Sequence, residues 1–343
     1  MKNKHLHAVL MLIAGTLISL CIAGCAHSIG ESKKYQFDEG EIFHTYYHIK
    51  YRSETNYHNN LKNVFKEFNH SLNPFDSTSI VTAINRNKSM YTDYMFRTVY
   101  NRAINISEAT QGTYDVTCSP IINLWGFGFD KASTPTDKAI DSLKVFVGYK
   151  KTHLSGDCFV KEDSRILLDF SSISKGYCTD LLGHMLKSKG INDYMVELGG
   201  EIVFEGVNPD GKPWHIGINK PIEDSTGMVQ DLQLIVQLKG KGGLATSGNY
   251  RNFHIIDGKK VGHTIDPLAG RPIQTDILSA TVIAEDCMTA DGLATAFMAA
   301  GSQRVKSIAS QFNNIEYLLI ISGDKGGYTT VMSDGFKKLI VEN

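Results

Sequence analysis

The chain has 343 residues, 42% of them hydrophobic, and a formal net charge of -1 at neutral pH. This length is enough for one large domain or two small ones, each with a substantial core. Lys and Arg are not in excess and form no run with interleaved aromatic residues, so composition argues against a nucleic-acid-binding protein.

The N-terminus has the pattern of a secretion signal. Two lysines precede an apolar run at residues 8–24, which is short for a membrane span of about 20 residues. Small residues directly before Cys25 resemble the lipobox of bacterial lipoproteins. We expect a signal peptide at residues 1–24, then a lipidated Cys25 and a flexible tether at residues 25–40. The protein would be lipid-anchored to a membrane on its periplasmic or extracytoplasmic face. A plain signal peptide with an incidental cysteine is the alternative.

Four cysteines remain in this expected mature chain: Cys118, Cys158, Cys178 and Cys287. They are widely spaced and include no C-x-x-C pair, which disfavours a zinc site. An oxidising compartment would permit a disulfide among them, but buried free thiols are the favoured state.

Patterns in the first half predict one strand and two long helices. Residues 42–52 alternate as a strand does, and residues 58–72 and 92–111 have helical periodicity. Residues 112–130 are predicted to form a loop in which aromatic residues alternate with glycines. Such a loop is either the wall of a ligand site or the edge of a strand.

A junction near residue 170 is suited to holding an anion. A buried-type strand at residues 166–169 ends in Asp169, small hydroxyl residues follow, and a helix is predicted from about Ser174. Backbone N–H groups at a helix start attract negative charge, and Lys175 adds positive charge. Neither the phosphate-loop pattern nor the dinucleotide fingerprint occurs here. A capped crossover helix without a ligand is the alternative.

The second half is predicted to be rich in strands, with a glycine- and hydroxyl-rich loop at residues 242–250. His263 directly precedes two turn motifs, Asp-Pro and Gly-Arg-Pro. A lone histidine on a strand is usually structural, but turns that hold its loop rigid favour a functional role. The predicted strands span residues 194–198, 201–207, 214–219, 232–238, 253–256, 261–265, 280–284, 317–322 and 328–332.

A helix of small residues is predicted from Thr289 to Ala300, with Gly301 as its end. Asp291 and Thr295 are four residues apart and therefore share one face. A carboxylate and a hydroxyl on an otherwise apolar face suit a hard cation such as Mg²⁺. Alternatively, Asp291 complements the helix dipole and Thr295 bonds back to a carbonyl.

In this order, the motifs GTYDVTCSPIINLWGFG, LDFSSISKGYCTD, ELGGE, ATSGNYRNF, HTIDPLAGRP and SATVIAEDCMTADGLATAF resemble the ApbE family of FAD:protein FMN transferases. The resemblance extends from about residue 42 to 335. It implies an α+β fold of antiparallel-rich sheets with packed helices, forming one ApbE-like (T-fold-like) catalytic domain at residues 41–343.

The resemblance also implies the chemistry. An Mg²⁺-dependent enzyme would cleave FAD, attach FMN through a phosphoester to a Thr or Ser of an extracytoplasmic flavoprotein subunit, and release AMP. The acceptors would be subunits of Rnf or sodium-translocating NADH:quinone reductase type. Two alternatives remain: an Mg²⁺-dependent FAD pyrophosphatase with water as acceptor, and a non-catalytic FAD-binding lipoprotein.

Individual roles follow by the same resemblance. Asp291 and Thr295 match metal ligands, and Ser172 matches a further metal-facing position. His263 matches the histidine suggested to deprotonate the acceptor hydroxyl. The positions that match FAD contacts are Phe43, Phe75, Thr113, Tyr114, Asp115, Asp169, Lys175 and Ile265.

Overall fold

A computed structural model of the chain describes residues 34–128, 134–222, 231–249, 253–256, 259–323 and 327–341. The predicted signal peptide, Cys25 and the last residues of the predicted aromatic loop lie outside these ranges. The chain from Tyr35 onward forms one compact unit. Within the described ranges, no helix has both the length and the apolar character that crossing a bilayer requires.

Sixteen strands are described, and eight of them form the central sheet. Its strands, in spatial order, are β1 (Tyr35–Ile42), β2 (Thr45–Arg52), β5 (Tyr194–Leu198), β6 (Glu201–Glu205), β9 (Lys241–Gly248), β14 (Ile277–Ala284), β15 (Glu316–Ser322) and β16 (Tyr328–Met332). Every neighbouring pair is antiparallel.

The other strands form small pairs: β3 (Thr152–Ser155) with β4 (Cys158–Lys161), β7 (Trp214–Asn219) with β8 (Leu232–Leu238), β10 (Phe253–Ile256) with β11 (Lys259–Gly262), and β12 (Ile265–Asp266) with β13 (Arg271–Pro272).

Helices cover one face of the central sheet. The described helices are α1 (His58–Leu72), α2 (Ile80–Asn85), α3 (Tyr94–Ala109), α4 (Ser119–Leu124), α5 (Asp137–Lys144), α6 (Ser174–Ser188), α7 (Cys287–Ala300), α8 (Ser302–Ala309) and α9 (Asp334–Lys337). Two of them, α6 and α7, pack against each other and against the middle strands.

Alternation along β6 separates the two layers of the core. Val203 belongs to the large cluster under the helices, whereas Ile202 and Phe204 pack with Trp214 of the β7–β8 pair. Successive strand residues point to opposite faces, so one short strand supplies both layers. The predicted α+β fold, an antiparallel sheet with packed helices, is confirmed.

The tether prediction is wrong for residues 35–40, which belong to β1. This strand pairs with β2 from Tyr35 opposite Arg52 to Ile42 opposite Thr45. Its Asp and Glu residues resemble a linker in sequence, but β1 lies at the edge of the sheet, where charged side chains reach solvent and discourage further pairing.

The predicted loop at residues 242–250 is also wrong, because most of it is the central strand β9. Glycine normally weakens a strand, yet here it is required by a close approach. A Cβ on Gly243 would lie 2.2 Å from the backbone nitrogen of Cys287, at the start of α7. The small size of these glycines therefore lets the start of α7 pack directly against β9.

The strand predicted at residues 166–169 is not formed. The described strands do not include this segment, and its hydrogen-bond partners are elsewhere: Leu168 exchanges hydrogen bonds with the Asn85 side chain, at 2.8 Å each. The Asp169 N–H donates to Val116 O at 2.8 Å. The side-chain amide of Asn85 thus makes the hydrogen bonds that a neighbouring strand would otherwise make.

All four cysteines of the expected mature chain are free thiols, but the expectation that they are buried holds for only three of them. Cys118, Cys178 and Cys287 are buried, and Cys158 is exposed. Burial raises the pKa of each buried thiol, since it penalises the thiolate. These three groups are therefore poor nucleophiles.

Candidate functional site

A cavity of about 720 Å³ brings together most of the predicted site residues. The loop after α3, the junction before α6, β9, the segment around β12, and α7 all contribute to its lining. Ten of the predicted residues line it: Thr113, Tyr114, Asp115, Asp169, Ser172, Lys175, His263, Ile265, Asp291 and Thr295.

Asp291 lies at the point where α6 and α7 cross. Its side chain is buried, and its Oδ2 accepts a hydrogen bond from the Gly176 N–H at 2.9 Å. A Cβ on Gly176 would lie 2.4 Å from Cys287 O and 2.7 Å from Asp291 Cβ, so only glycine permits this crossing. Burial raises the pKa of Asp291, and Lys175 and the Gly176 N–H oppose that rise.

The helix-dipole alternative for Asp291 is not supported. The helix begins at Cys287, two residues earlier than predicted, and its N-cap is Asp286. Asp286 accepts from the Thr289 N–H at 2.7 Å, which is the ordinary capping interaction. Asp291 lies a full turn further on. Its neighbour on the same face, Thr295, has its hydroxyl 3.1 Å from Ser247 Oγ on β9.

The oxygen atoms of this region fit a hard cation better than a soft one. Asp291, Thr295 and Ser172 supply a carboxylate and two hydroxyls to one cavity. Among the described residues, no three His, Cys, Asp or Glu side chains lie together as a metal site. A cation here would need hydroxyl, carbonyl or phosphate oxygens as well, which is how Mg²⁺ is usually held.

Glu201, which was not predicted as a site residue, is the partner of Lys175. Lys175 Nζ donates to Glu201 Oε1 at 2.7 Å, and the glutamate side chain is 6% exposed. Burial raises the pKa of Glu201, and Lys175 acts against this rise. Burial disfavours the lysine charge, yet the Glu201 and Asp291 carboxylates raise the pKa of Lys175.

The second oxygen of Glu201 is unusual. Glu201 Oε2 is buried and has no hydrogen-bond partner among the described residues. An unsatisfied buried carboxylate oxygen is costly unless a ligand or ion compensates for it. A carboxylate directly after Gly199-Gly200, followed by three apolar residues, was the sequence signal that could have identified this residue.

Asp115 organises the loop after α3. Its Oδ1 accepts from the N–H and hydroxyl of Thr117 at 2.8 and 2.7 Å, and its Oδ2 accepts from the Tyr149 N–H at 2.7 Å. Burial raises the pKa of Asp115, and these hydrogen bonds lower it. The carboxylate therefore fixes the loop that carries Thr113 and Tyr114 into the cavity.

Tyr114 links that loop to the junction before α6. Ser172 Oγ donates to Tyr114 Oη at 2.9 Å. Burial raises the pKa of Tyr114, so its hydroxyl stays protonated. In the same junction, Asp169 Oδ1 accepts from the Ser171 N–H at 2.8 Å, which fixes the direction of the turn.

His263 reaches the cavity between β11 and β12 and contacts an aromatic side chain. Its ring lies edge-on to Phe127, with centroids 6.4 Å apart. Phe127 also stacks on His254 at 4.4 Å, and His254 Nε2 is 3.1 Å from Gly126 O. Phe127 thus forms part of the cavity wall.

The predicted aromatic loop contains a helix, α4, and its aromatic residues divide between two roles. Phe127 lines the cavity, as a ligand wall would. Trp125 instead is buried in a small core cluster and donates its indole N–H to Gly270 O at 3.0 Å. The ligand-wall interpretation thus holds for Phe127. The strand-edge alternative is wrong, because the described residues of this segment form turns and a helix.

Phe43 and Phe75 do not line the large cavity. They line a neighbouring cavity of about 600 Å³ between the β1–β2 turn and α1, and His44 lines both cavities. Phe43 and His44 have φ angles of 51° and 59°. Two successive non-glycine residues in this conformation are strained, as residues at functional sites often are. Their contact with FAD stays a prediction.

Comparison with known proteins agrees over most of the chain. "FAD:protein FMN transferase" of Vibrio cholerae is 39% identical over 245 residues, which cover 71% of each chain. The protein of the same name from Haemophilus influenzae is 33% identical and covers 96% of this chain and 98% of the relative.

Solved structures show the same similarity. The structure of "Flavin Transferase ApbE from Vibrio cholerae" superposes with a TM-score of 0.80 at 33% identity, covering 89% of this chain and 99% of that one. The sequence profile of the ApbE family matches residues 43–319, which include every cavity-lining residue predicted from the sequence. The chain belongs to the ApbE family.

Proposed function

We propose that this chain, an FAD:protein FMN transferase, uses Mg²⁺ to transfer FMN from FAD to a Thr or Ser hydroxyl of an extracytoplasmic flavoprotein subunit. The proposal rests on the observation that the predicted site residues come together in one cavity. Ten residues from four separate segments line one cavity, and they include a buried carboxylate, a half-buried lysine and a histidine. That set suits a ligand with both phosphates and flat rings.

The transfer is a displacement at the FMN phosphorus. The acceptor oxygen forms a P–O bond to that phosphorus, and the P–O bond to the AMP part of the pyrophosphate breaks. The hydroxyl proton must go to a base, and AMP leaves as the product. His263 lines the same cavity as Lys175 and Asp291, which supports its assignment as that base.

The metal would be held by Asp291 and Thr295, with Ser172 as a further oxygen donor. When bound, the cation would neutralise pyrophosphate charge. The deep burial of Asp291 supports this role, because a buried carboxylate without sufficient positive charge nearby is unstable. Lys175, in the first turn of α6, provides a second positive charge for phosphate.

A lipid anchor on Cys25 would place the enzyme beside membrane-bound acceptors. The lipobox-like motif supports this placement, as does the start of the folded unit at Tyr35, ten residues after Cys25. Acceptor subunits of Rnf or sodium-translocating NADH:quinone reductase type fit such a position.

The test is to incubate the purified chain with FAD, Mg²⁺ and an acceptor domain that carries a flavinylation threonine. We expect covalent flavin on the acceptor, detected by in-gel fluorescence and by a mass increase equal to one FMN. The same acceptor with that threonine changed to valine is the matched control. FMN and AMP without labelled acceptor would instead indicate a pyrophosphatase. Intact FAD would overturn both enzymatic functions.

A further inference from the structure

We propose that Asp180 is a positioning residue that holds α7 in the register needed for Asp291 and Thr295 to bind a divalent cation. The inference deepens the proposed function and rests on it. Asp180 does not line the cavity. It would act through the helix that carries the two metal ligands.

Asp180 binds the start of α7 from a neighbouring helix. Its Oδ1 accepts from the Cys287 N–H and its Oδ2 from the Met288 N–H, both at 2.8 Å. Asp180 is 5% exposed, and the two donors belong to residues that are 0% and 6% exposed. Water therefore has little access to these two N–H groups. If the Asp180 carboxylate were removed, both N–H groups would lack a hydrogen-bond partner.

A second contact lies one turn away on both helices. Gly176 is four residues before Asp180, so the two lie on the same face of α6. The Gly176 N–H donates to Asp291 Oδ2 at 2.9 Å. Asp291 in turn is four residues after Cys287. Hydrogen bonds thus join the two helices at two positions along their length. One of these bonds involves the Asp291 carboxylate, which is the proposed metal ligand.

The sheet restricts the start of α7 from the other side. A Cβ on Gly243 would lie 2.2 Å from Cys287 N, so β9 and the helix start are in close contact. Asp180 therefore holds a helix that has little room to move toward the sheet. Loss of its two hydrogen bonds would let α7 tilt or slide along α6, and this movement would displace Asp291 and Thr295 together.

Asp286 offers a matched control, because it caps the same helix without joining it to α6. It accepts from the Thr289 N–H at 2.7 Å and is the N-cap residue of α7. Its carboxylate also lies 3.6 Å from Arg102. Removing Asp286 should weaken the helix end, whereas removing Asp180 should also release the crossing of the two helices.

The experiment measures metal binding directly, with Mn²⁺ as the probe in place of Mg²⁺. Electron paramagnetic resonance gives the Kd for Mn²⁺ in the purified full chain with FAD present, for wild type, Asp180→Ala, Asp180→Asn and Asp286→Ala. We expect Asp180→Ala to raise the Kd about tenfold or more, as loss of a supporting group around metal ligands does. Asp180→Asn keeps one acceptor and should give a smaller increase.

Asp286→Ala should lower the Tm but leave the Kd of the folded protein unchanged. Equal Kd values for wild type and both Asp180 variants would overturn the inference, as would an equal increase in Asp286→Ala. If Asp180→Ala does not fold, Asp180→Asn carries the test. Failure of the wild-type chain to bind Mn²⁺ has a different meaning, because it would refute the metal site of the proposed function itself.

Discussion

Replacing Gly176 with alanine tests whether the close crossing of α6 and α7 sets the geometry of the site. The new Cβ would lie 2.4 Å from Cys287 O and 2.7 Å from Asp291 Cβ. The shorter distance is about 1 Å inside ordinary contact, taken as about 3.4 Å. The first obstacle is a backbone carbonyl, which cannot rotate away as a side chain can. The two helices must therefore separate.

The expected magnitude combines two opposing effects. Overpacking of this kind costs about 1–3 kcal/mol, and the rigid backbone contact places Gly176→Ala near the upper limit. Alanine favours the helix by about 1 kcal/mol relative to glycine. The net loss is about 2 kcal/mol, which corresponds to a fall in Tm of about 3 °C for a folded unit that runs from Tyr35 to Asn343, at about 2.1 cal/mol/K per residue. A shift of about 1 Å at Asp291 should also reduce the transfer rate about 100-fold.

Gly183→Ala is the matched control within the same helix. Its Cβ would meet only side-chain atoms, Val203 Cγ1 at 3.0 Å and Tyr194 Cε2 at 3.2 Å, which can move slightly. It should keep the transfer rate and nearly the wild-type Tm. Both variants are compared by thermal denaturation and by flavin incorporation into the acceptor. A Gly176→Ala protein with wild-type Tm and rate would refute this account of the crossing.

Four further predictions concern charged groups. Asp291→Ala should abolish turnover at ordinary Mg²⁺ concentrations, and unchanged turnover would exclude the metal assignment. His263→Ala should slow transfer more than it weakens FAD binding, measured by flavin fluorescence; equal losses would remove its role as base. Glu201→Gln should tighten FAD binding in EDTA severalfold and reduce the further gain from Mg²⁺, because it removes one negative charge from the cavity. Burial, followed by the nearby Asp286, raises the pKa of Asp180 to about 8. Between about pH 4 and 8 the folded state thus holds a proton that the unfolded chain has lost, and stability falls as pH rises. Urea denaturation across this pH range should show that the free energy of unfolding falls less steeply with pH in Asp180→Asn than in wild type. The same dependence on pH in both proteins would contradict the prediction.

Local patterns predicted much of the fold. The amphipathic period of residues 58–72 defines α1 to the residue, and strict alternation defines β8 at residues 232–238. Such elements follow from nearby residues alone, since one face is buried and the other is solvated. The candidate site could also be predicted in large part, because ten of its residues lie in short motifs that resemble a known family.

What the sequence did not predict depends on contacts between distant segments. The strand β9 has the composition of a loop, and its glycines are explained only by the close approach of α7 to Gly243. Asp180 looks like a surface residue of an amphipathic helix until its carboxylate is seen to accept from two N–H groups more than 100 residues away. Glycine and aspartate carry little structural information by themselves, because their function depends on what approaches them.

The charges around the helix crossing predict that the proposed cation would strengthen the binding of FAD. Lys175 is held against Glu201, and both Glu201 and Asp291 raise the pKa of the lysine. With all three groups charged, the set carries a net charge of -1 inside a buried region. The two negative charges of the FAD pyrophosphate would add to this excess. A divalent cation reverses the sign of the local charge, so metal and FAD should each bind more tightly when the other is present. When no metal is bound, the Glu201 and Asp291 carboxylates repel the FAD pyrophosphate. The same two carboxylates would therefore make FAD binding depend on the metal.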